Sequence, residues 1–89
     1  MPERRVMVGS KIGLHARPAA LFVQAAARQR ARVTIAKDGR PPVDAKSILA
    51  VLGLDVRGGE EVVLAAEGED AETALDELAA VVARDHDAK

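Results

Sequence analysis

The stretch GLHARPAALFVQAA, residues 13–26, decides the first half of the fold. From Pro18 onward its apolar residues recur three and four positions apart, which places their side chains along one stripe of an α-helix. We expect this stripe to consist of Pro18, Leu21, Phe22, Ala25 and Ala26. Proline is accepted in a first helical turn because the amides there lack intrahelical partners. The sequence therefore predicts an amphipathic helix that begins close to His15.

The composition limits the kinds of protein that this chain can be. It has 89 residues, of which 48% are apolar, and Phe22 is the only aromatic residue. The core must therefore be built from Val, Leu, Ile and Ala, and there is no set of aromatic rings to stack on bases. Thirteen basic and fourteen acidic residues give a net charge of −1, whereas nucleic-acid-binding proteins present a clearly basic face. We expect a single domain over residues 1–89 that binds no nucleic acid.

Several further classes of protein are excluded by what the sequence lacks. Without cysteine there are no disulfides, no thiolate catalysis and no cysteine-ligated metals. The two histidines are far apart in the sequence and no carboxylates converge with them, so no metal or other cofactor is predicted. The start, MPERRVMVGSK, has no sustained apolar run of the kind that a secretory signal carries, and no stretch approaches the ~20 apolar residues of a membrane span. We expect a cytoplasmic protein with no membrane insertion.

Alternating apolar residues predict the strands. They occur at residues 4–8, 32–37 and 61–66, with the period of two that is typical of strands. Asp38 and Gly39 indicate a turn, because glycine accepts positive φ at little cost, and a short strand around Val43 then completes a hairpin. Pro41 and Pro42 cannot donate backbone hydrogen bonds, which favours an edge position for that strand.

Two further helices follow from the pattern. The run ILAVLGL after Ser47 predicts a short helix that Gly53 can end. Asp70 is expected to cap a final helix whose apolar stripe is Ala71, Ala74, Leu75, Leu78 and Val82. The order of elements is therefore βαββαβα, and helices that cross between strands cover one face of the sheet. We predict a two-layer α+β domain.

The residues around His15 bring together groups that suit phosphoryl chemistry. If His15 caps the first helix, the unpaired amides of Ala16 and its neighbours and the positive end of the helix dipole lie beside the imidazole, which favours a bound anion. Arg17 adds a guanidinium that binds phosphate through paired charge-assisted hydrogen bonds, while Pro18 stiffens the turn. Imidazoles are largely neutral and nucleophilic near neutral pH. The alternative is that His15 is only a polar helix cap in a ligand-binding α+β module.

Four segments in order along the chain carry a resemblance to a known family. They are GLHARPAALFVQAA (13–26), VTIAKDG (33–39), DAKSILAVLGLDV (44–56) and GEEVVLAAEGEDAETALDELAAVV (59–82). Together they resemble HPr, the histidine phosphocarrier family of the bacterial phosphoenolpyruvate-dependent sugar phosphotransferase system. The resemblance implies an open-faced β-sandwich, in which a four-stranded antiparallel sheet carries three helices on one face. It also implies a monomeric phosphocarrier rather than an enzyme.

The resemblance assigns roles to the residues at the first helix. The histidine that matches His15 accepts a phosphoryl group on Nδ1 from phospho-enzyme I, which draws it from phosphoenolpyruvate, and passes it to the A domains of sugar-specific permeases. Arg17 matches the residue that assists transfer, with Ala16 beside it at the phosphate, and Pro18 belongs to the same turn. The same fold in a regulatory branch, for nitrogen metabolism or dihydroxyacetone phosphorylation, remains an alternative.

Ser47 and the short helix after it form a second candidate site. Ser47 is expected to cap that helix, and the resemblance adds phosphorylation by an HPr kinase/phosphorylase, which occurs in some bacteria. If Ile48, Val51 and Leu54 point inward, Leu49 and Leu52 are at least partly exposed, which is typical of a docking patch. The resemblance implies a face presented to partner proteins, made up of Ala16, Arg17, Ala20, Leu49 and Leu52.

Overall fold

A computed structural model of the chain describes residues 2–9, 13–14 and 16–84, with Ala16 described by its backbone alone. The elements in these ranges are β1 (Glu3–Met7), α1 (Ala16–Ala27), β2 (Arg32–Lys37), β3 (Val43–Asp44), α2 (Ile48–Gly53), β4 (Glu61–Glu67) and α3 (Ala71–Ala83). Their order confirms the predicted βαββαβα succession, and each predicted strand and helix is present within a few residues of its expected bounds.

The four strands form one antiparallel sheet in the order β1-β4-β2-β3. The strand β4 lies between β1 and β2, so that Val62 pairs with Val6 on one side and Leu64 pairs with Ile35 on the other. The two-residue strand β3 lies at the edge, as the preceding prolines predict. The sheet and its helices thus form the predicted open-faced β-sandwich.

The core lies between the sheet and the helices. The inward side chains of β2 and β4 are fully buried, as are those of α1 and α3 that pack against them. The most buried large side chains include Phe22, Ile35, Leu64, Leu75 and Leu78. The opposite face of β1 carries exposed Glu3, Arg5 and Met7. Aliphatic side chains and one phenylalanine therefore suffice to build the core, as the composition requires.

Helix α1 buries a slightly different stripe from the predicted one. Pro18, Phe22 and Ala26 are buried as expected, but Ala19 is fully buried and Leu21 is only partly so. Residues 19, 22 and 26 are three and four positions apart, so they share one face of the helix. The stripe is therefore centred on the side of Ala19, whose small side chain lets the helix approach the core closely.

The ends of α2 and α3 differ from the predictions in their capping. Asp70 directly precedes α3, and its carbonyl accepts the first helical hydrogen bond from Ala74. Its backbone is left-handed (φ 59°), and within the described chain its carboxylate makes no capping hydrogen bond. The capping prediction was wrong because a side-chain cap needs an extended backbone. Helix α2 does end at Gly53, but the left-handed residue that follows is Asp55 (φ 53°).

Candidate functional site

The start of α1 is the centre of the candidate site. The helix begins at Ala16, directly after His15 in the sequence, and His15 itself lies outside the described residues. Leu14, on the other side of position 15, is 1% exposed, and its amide donates a hydrogen bond of 2.9 Å to the carbonyl of Val56. The residue before position 15 is thus held by the core and by a hydrogen bond, and the residue after it belongs to helix α1.

Two glycines let the segment before α1 pack against the rest of the molecule. Gly13 has φ 79°, and a Cβ atom there would overlap with the backbone of Val56 and Arg57. Gly9 donates a hydrogen bond of 3.0 Å to the Val82 carbonyl, and a Cβ atom there would overlap with the carbonyl of Ala83. Backbone therefore lies directly on backbone at both positions, which only glycine permits.

The two predicted neighbours of the histidine take different environments. Arg17 is exposed in the first turn of α1, where its guanidinium can reach a ligand in solvent. Pro18 is among the fully buried side chains, so it fixes the first turn to the core as well as limiting its backbone. Ala20 is partly buried. Arg17 is thus an exposed positive charge at the start of α1, and Pro18 is held in the core.

A polar network holds the loop that contains Val56. Lys37 Nζ, at the end of β2, donates to the carbonyl of Asp55 at 2.7 Å and lies 3.4 Å from a carboxylate oxygen of Glu60. The same Glu60 oxygen accepts a hydrogen bond of 2.7 Å from the amide of Arg57. The pKa of the Glu60 carboxyl is lowered, chiefly by this amide and further by the nearby Lys37 and Arg57 charges, against a smaller effect of burial. The contacts of Lys37 were not predicted, because they join residues 18 and 23 positions apart in the sequence.

Ser47 forms the start of α2 as the sequence predicts. Its backbone is extended (φ −105°, ψ 113°), its hydroxyl accepts a hydrogen bond of 3.3 Å from the amide of Ala50, and its carbonyl accepts from Val51 at 3.0 Å. The capping prediction is therefore confirmed. Ser47 as a whole is only partly buried.

Helix α2 presents apolar side chains to solvent. Leu49 is 80% exposed, Val51 is fully buried, and Leu52 is partly buried against the core. Of the three side chains that could point inward together, Val51 and Leu54 are buried, but Ile48 is 38% exposed. It is the first residue of a six-residue helix, so no preceding turn covers it. The exposed apolar surface therefore includes Ile48 as well as Leu49.

The described residues offer few features of other kinds of site. In the described ranges no group of three or more His, Cys, Asp or Glu side chains could hold a metal ion, and both histidines lie outside those ranges. A cleft of about 450 Å³ lies at the β2–β3 edge, with Arg30, Arg32, Asp44 and Lys46 among its lining residues, none of which is a predicted site residue. Of the helices described, none is long and apolar enough to cross a membrane.

Comparisons with known proteins agree with this architecture. The family model described as "PTS HPr component phosphorylation site" matches residues 2–84. The phosphocarrier protein HPr of Streptomyces coelicolor is 59% identical over 83 residues, covering 93% of this chain and 89% of that protein. The HPr-like protein Crh of Bacillus subtilis is 51% identical over 82 residues, covering 92% and 95%. The crystal structure of HPr from Bacillus anthracis superposes with a TM-score of 0.86 at 49% identity, covering 91% and 95%.

The fold and the comparisons together define a class of protein. A small open-faced sandwich that matches a phosphorylation-site family over residues 2–84 and superposes on a phosphocarrier structure belongs to the phosphocarriers, which carry a phosphoryl group between larger proteins. The chain belongs to the HPr family of the phosphotransferase system. It is therefore a phosphocarrier protein rather than an enzyme, and its partners are components of that system.

Proposed function

We propose that His15 is the phosphoryl acceptor of this chain, receiving the group from phospho-enzyme I and passing it to the A domains of sugar permeases. The observation that carries the proposal is the start of α1 at Ala16, one residue after His15, in a chain that matches a phosphorylation-site family over residues 2–84. An imidazole nitrogen attacks phosphorus, a P–N bond forms, and the bond that joins phosphorus to enzyme I breaks. The reverse sequence of bonds delivers the group to a permease domain.

The start of α1 supplies the electrostatics of this transfer. The amides of the first turn have no partners within the helix and, with the helix dipole, favour an anion at this end. The exposed guanidinium of Arg17 adds a positive charge that can pair with phosphate oxygens. Pro18 has no amide to offer but is buried, so the turn keeps its shape when the group arrives. These groups stabilise the phosphoryl group without enclosing it.

The acceptor is tested with purified enzyme I and labelled phosphoenolpyruvate. We expect an acid-labile, alkali-stable label on the wild-type chain and none on His15→Ala. The variant His86→Ala removes the other histidine and is the matched control, which should be labelled normally. Label on His15→Ala, or no label on a wild-type chain shown to be folded, would contradict the proposal.

We propose that partners dock on a surface made up of Ala16, Arg17, Ala20, Leu49 and Leu52, to which the structure adds Ile48. Leu49 at 80% exposure and Ile48 at 38% leave apolar area in water that a partner can bury. Helices α1 and α2 pack against each other, so α2 places these side chains next to the helix that follows His15. A partner can thus bind α2 while it reacts at the start of α1.

Leu49→Ser tests this surface against a matched control. Met7 is also a large exposed apolar side chain, at 60%, but it lies on β1, so Met7→Ser removes a comparable group elsewhere. We expect Leu49→Ser to raise the KM of enzyme I for this chain by roughly tenfold, the effect of losing one well-buried contact in an interface, with an unchanged melting temperature. Equal effects of the two substitutions would show that Leu49 is not part of the docking surface.

A regulatory role of Ser47 is a second proposal, favoured by the 51% identity to the HPr-like protein Crh of Bacillus subtilis, whose solution structure is described as that of the catabolite repression HPr. A phosphate on Ser47, added by an HPr kinase/phosphorylase, would sit at the start of α2, where it stabilises the helix and puts negative charge beside Ile48 and Leu49. Ser47→Asp should therefore weaken docking to enzyme I. Unchanged KM and kcat would remove Ser47 from the docking surface.

The remaining expectations concern the oligomeric state of the chain, its location in the cell and the branch of the phosphotransferase system in which it works. We propose a cytoplasmic monomer that consists of one domain over residues 1–89 and works in sugar uptake. Solved relatives include a dimer of HPr from Thermoanaerobacter tengcongensis, at 44% identity and a TM-score of 0.64, so the mass of the chain in solution is the relevant measurement. Light scattering should give the mass of one chain, and that of two would contradict the monomer. A regulatory branch for nitrogen or dihydroxyacetone is distinguished by which A domain accepts the label.

A further inference from the structure

The loop between α2 and β4, residues 54–60, is the support on which the segment before α1 rests. Val56 in this loop is fully buried, and its carbonyl accepts the 2.9 Å hydrogen bond from the amide of Leu14. At the other end of the loop, Val8 donates to the Glu60 carbonyl at 2.9 Å, and Gly59 donates to the Val8 carbonyl at 3.1 Å. Any change in the shape of this loop therefore moves backbone on the N-terminal side of position 15.

The loop has a conformation that requires external support. Asp55 is a non-glycine residue with φ 53°, a region that costs an L-residue free energy. Lys37 Nζ donates to the carbonyl of this residue at 2.7 Å, and the lysine side chain is only 15% exposed. The Arg57 guanidinium lies 3.3 Å from the Asp55 carboxylate. The left-handed residue is thus held through both its backbone and its side chain.

The peptide group between Val56 and Arg57 is held at both of its polar ends. Its carbonyl, on Val56, accepts from Leu14, and its amide, on Arg57, donates to Glu60 Oε1 at 2.7 Å. A peptide group is planar, so the Glu60 carboxylate that fixes the amide also fixes the direction of the carbonyl. The two hydrogen bonds polarise the same group and strengthen each other. Glu60 therefore helps to fix the position of the Leu14 amide, because both residues bond to the same planar Val56–Arg57 peptide group.

We propose that Glu60, held in place by Lys37, is a positioning residue for phosphoryl transfer: it orients the Val56–Arg57 peptide group that fixes Leu14, the residue before His15. The proposal rests on the acceptor role of His15 proposed above. In this proposal neither the Glu60 nor the Lys37 side chain takes part in the chemical step. They act by keeping the backbone before α1 in one geometry, and geometry at the acceptor controls the rate of transfer.

The experiment combines amide hydrogen exchange with transfer kinetics. In Glu60→Ala and Lys37→Ala we expect the Leu14 amide to exchange roughly tenfold faster, as the loss of a charge-assisted hydrogen bond implies. The rate of phosphorylation by enzyme I should fall about fivefold. This loss should appear in kcat rather than KM, because Leu49 and the docking surface are untouched.

Two further variants separate positioning from a general loss of stability. Glu61→Ala is the matched control: it removes the adjacent carboxylate, which pairs with Arg5 at 3.1 Å on the sheet, and should leave Leu14 exchange and kcat unchanged. Glu60→Gln keeps an acceptor for the Arg57 amide and should restore much of both. If Glu60→Ala does not fold, Lys37→Ala, in which the same losses are expected, provides the test.

Each outcome decides the matter. The proposal is supported if Glu60→Ala shows faster Leu14 exchange and a lower kcat, and if Glu60→Gln partly restores both. Glu61→Ala should then show normal exchange and a normal kcat. Unchanged Leu14 exchange in Glu60→Ala, or faster exchange with normal kcat, overturns the proposal. A folded wild-type chain that takes no phosphoryl group refutes the acceptor role of His15 and this proposal with it, whereas a normal kcat for phosphorylation of Glu60→Ala refutes the positioning role alone.

Discussion

The two helix starts that carry the candidate sites, those of α1 and α2, are held differently. The segment before α1 is fixed by backbone packed on backbone at Gly13, by a buried Leu14 and by a loop that Glu60 braces. The start of α2 is held mainly by hydrogen bonds among residues 44–51, including those of Ser47 with Asp44 and Ala50. The first depends on contacts between distant parts of the chain, and the second largely on neighbours in the sequence.

This difference matches what each region has to do. A group that passes phosphorus between proteins must present one geometry to every partner, which long-range contacts can enforce. A docking helix needs apolar side chains such as Leu49 in water and gains little from being locked. In the regulation proposed above, a phosphate on Ser47 would change the charge of the docking surface at a local cap, away from the core. The proposed acceptor thus follows a segment fixed by long-range contacts, whereas the most exposed apolar side chain of the docking surface, Leu49, lies on the short helix α2.

The largest expected effect comes from Gly13→Ala, which disrupts the close packing of the segment before α1 on the backbone of Val56 and Arg57. The new Cβ would overlap with the Val56 and Arg57 backbone at a φ of 79°, and both the left-handed conformation and the overlap oppose folding. We expect the free energy of unfolding to fall by about 3 kcal/mol, measured by urea denaturation. Phosphorylation by enzyme I should slow as well.

Gly39→Ala is the matched control for this substitution. Gly39 has nearly the same φ, 80°, but an added Cβ would meet nothing within 4 Å. It should therefore cost only the left-handed conformation, roughly 1 kcal/mol. Equal losses of unfolding free energy in the two variants would mean that the close packing at Gly13 does not stabilise the fold.

A smaller effect is expected from removing the local cap of α2. Ser47→Ala deletes the acceptor of the Ala50 amide and should lower the free energy of unfolding by about 1 kcal/mol. Ser47→Thr keeps a capping hydroxyl and should restore most of it. Exchange of the Leu14 amide should not change in either variant, because the cap is local. Faster Leu14 exchange in Ser47→Ala would show that the two helix starts are coupled.

Most of the fold could be predicted because its elements follow from local periodicity. Strands and helices differ in the period of their apolar residues, and Gly39 with the two prolines after it marks the hairpin and the edge strand. The differences concern particular side chains: Ile48, the first residue of its helix, is partly exposed, and Asp70 does not cap α3 with its carboxylate as expected. Burial at a helix end and backbone conformation at a cap depend on neighbours that a local pattern does not contain.

The candidate site was predictable to the extent that it is local. The capping role of Ser47 and the exposure of Leu49 follow from a few consecutive residues and are confirmed. The contact between Lys37 and Glu60 spans 23 positions, and the contact of Gly13 with Val56 spans still more. Such pairs cannot be read from periodicity, because only the folded sheet brings them together. The roles of these residues in transfer remain predictions for the experiments above.

The smallest expected effect is a pH dependence of stability that comes from the Glu60 carboxylate, which accepts the hydrogen bond from the Arg57 amide. Because the amide of Arg57 and the charges of Lys37 and Arg57 lower the pKa of the Glu60 carboxyl in the folded chain, its ionised form stabilises the fold. That stabilisation is fully present above the pKa of the unfolded chain and is lost as the pH falls through the lower folded value. Wild type should therefore be more stable than Glu60→Gln at neutral pH, and the difference should shrink under acidic conditions. Urea denaturation between pH 3 and pH 8 measures it, with Glu61→Gln as control, and a difference that grows on acidification would show that the carboxylate does not brace the loop.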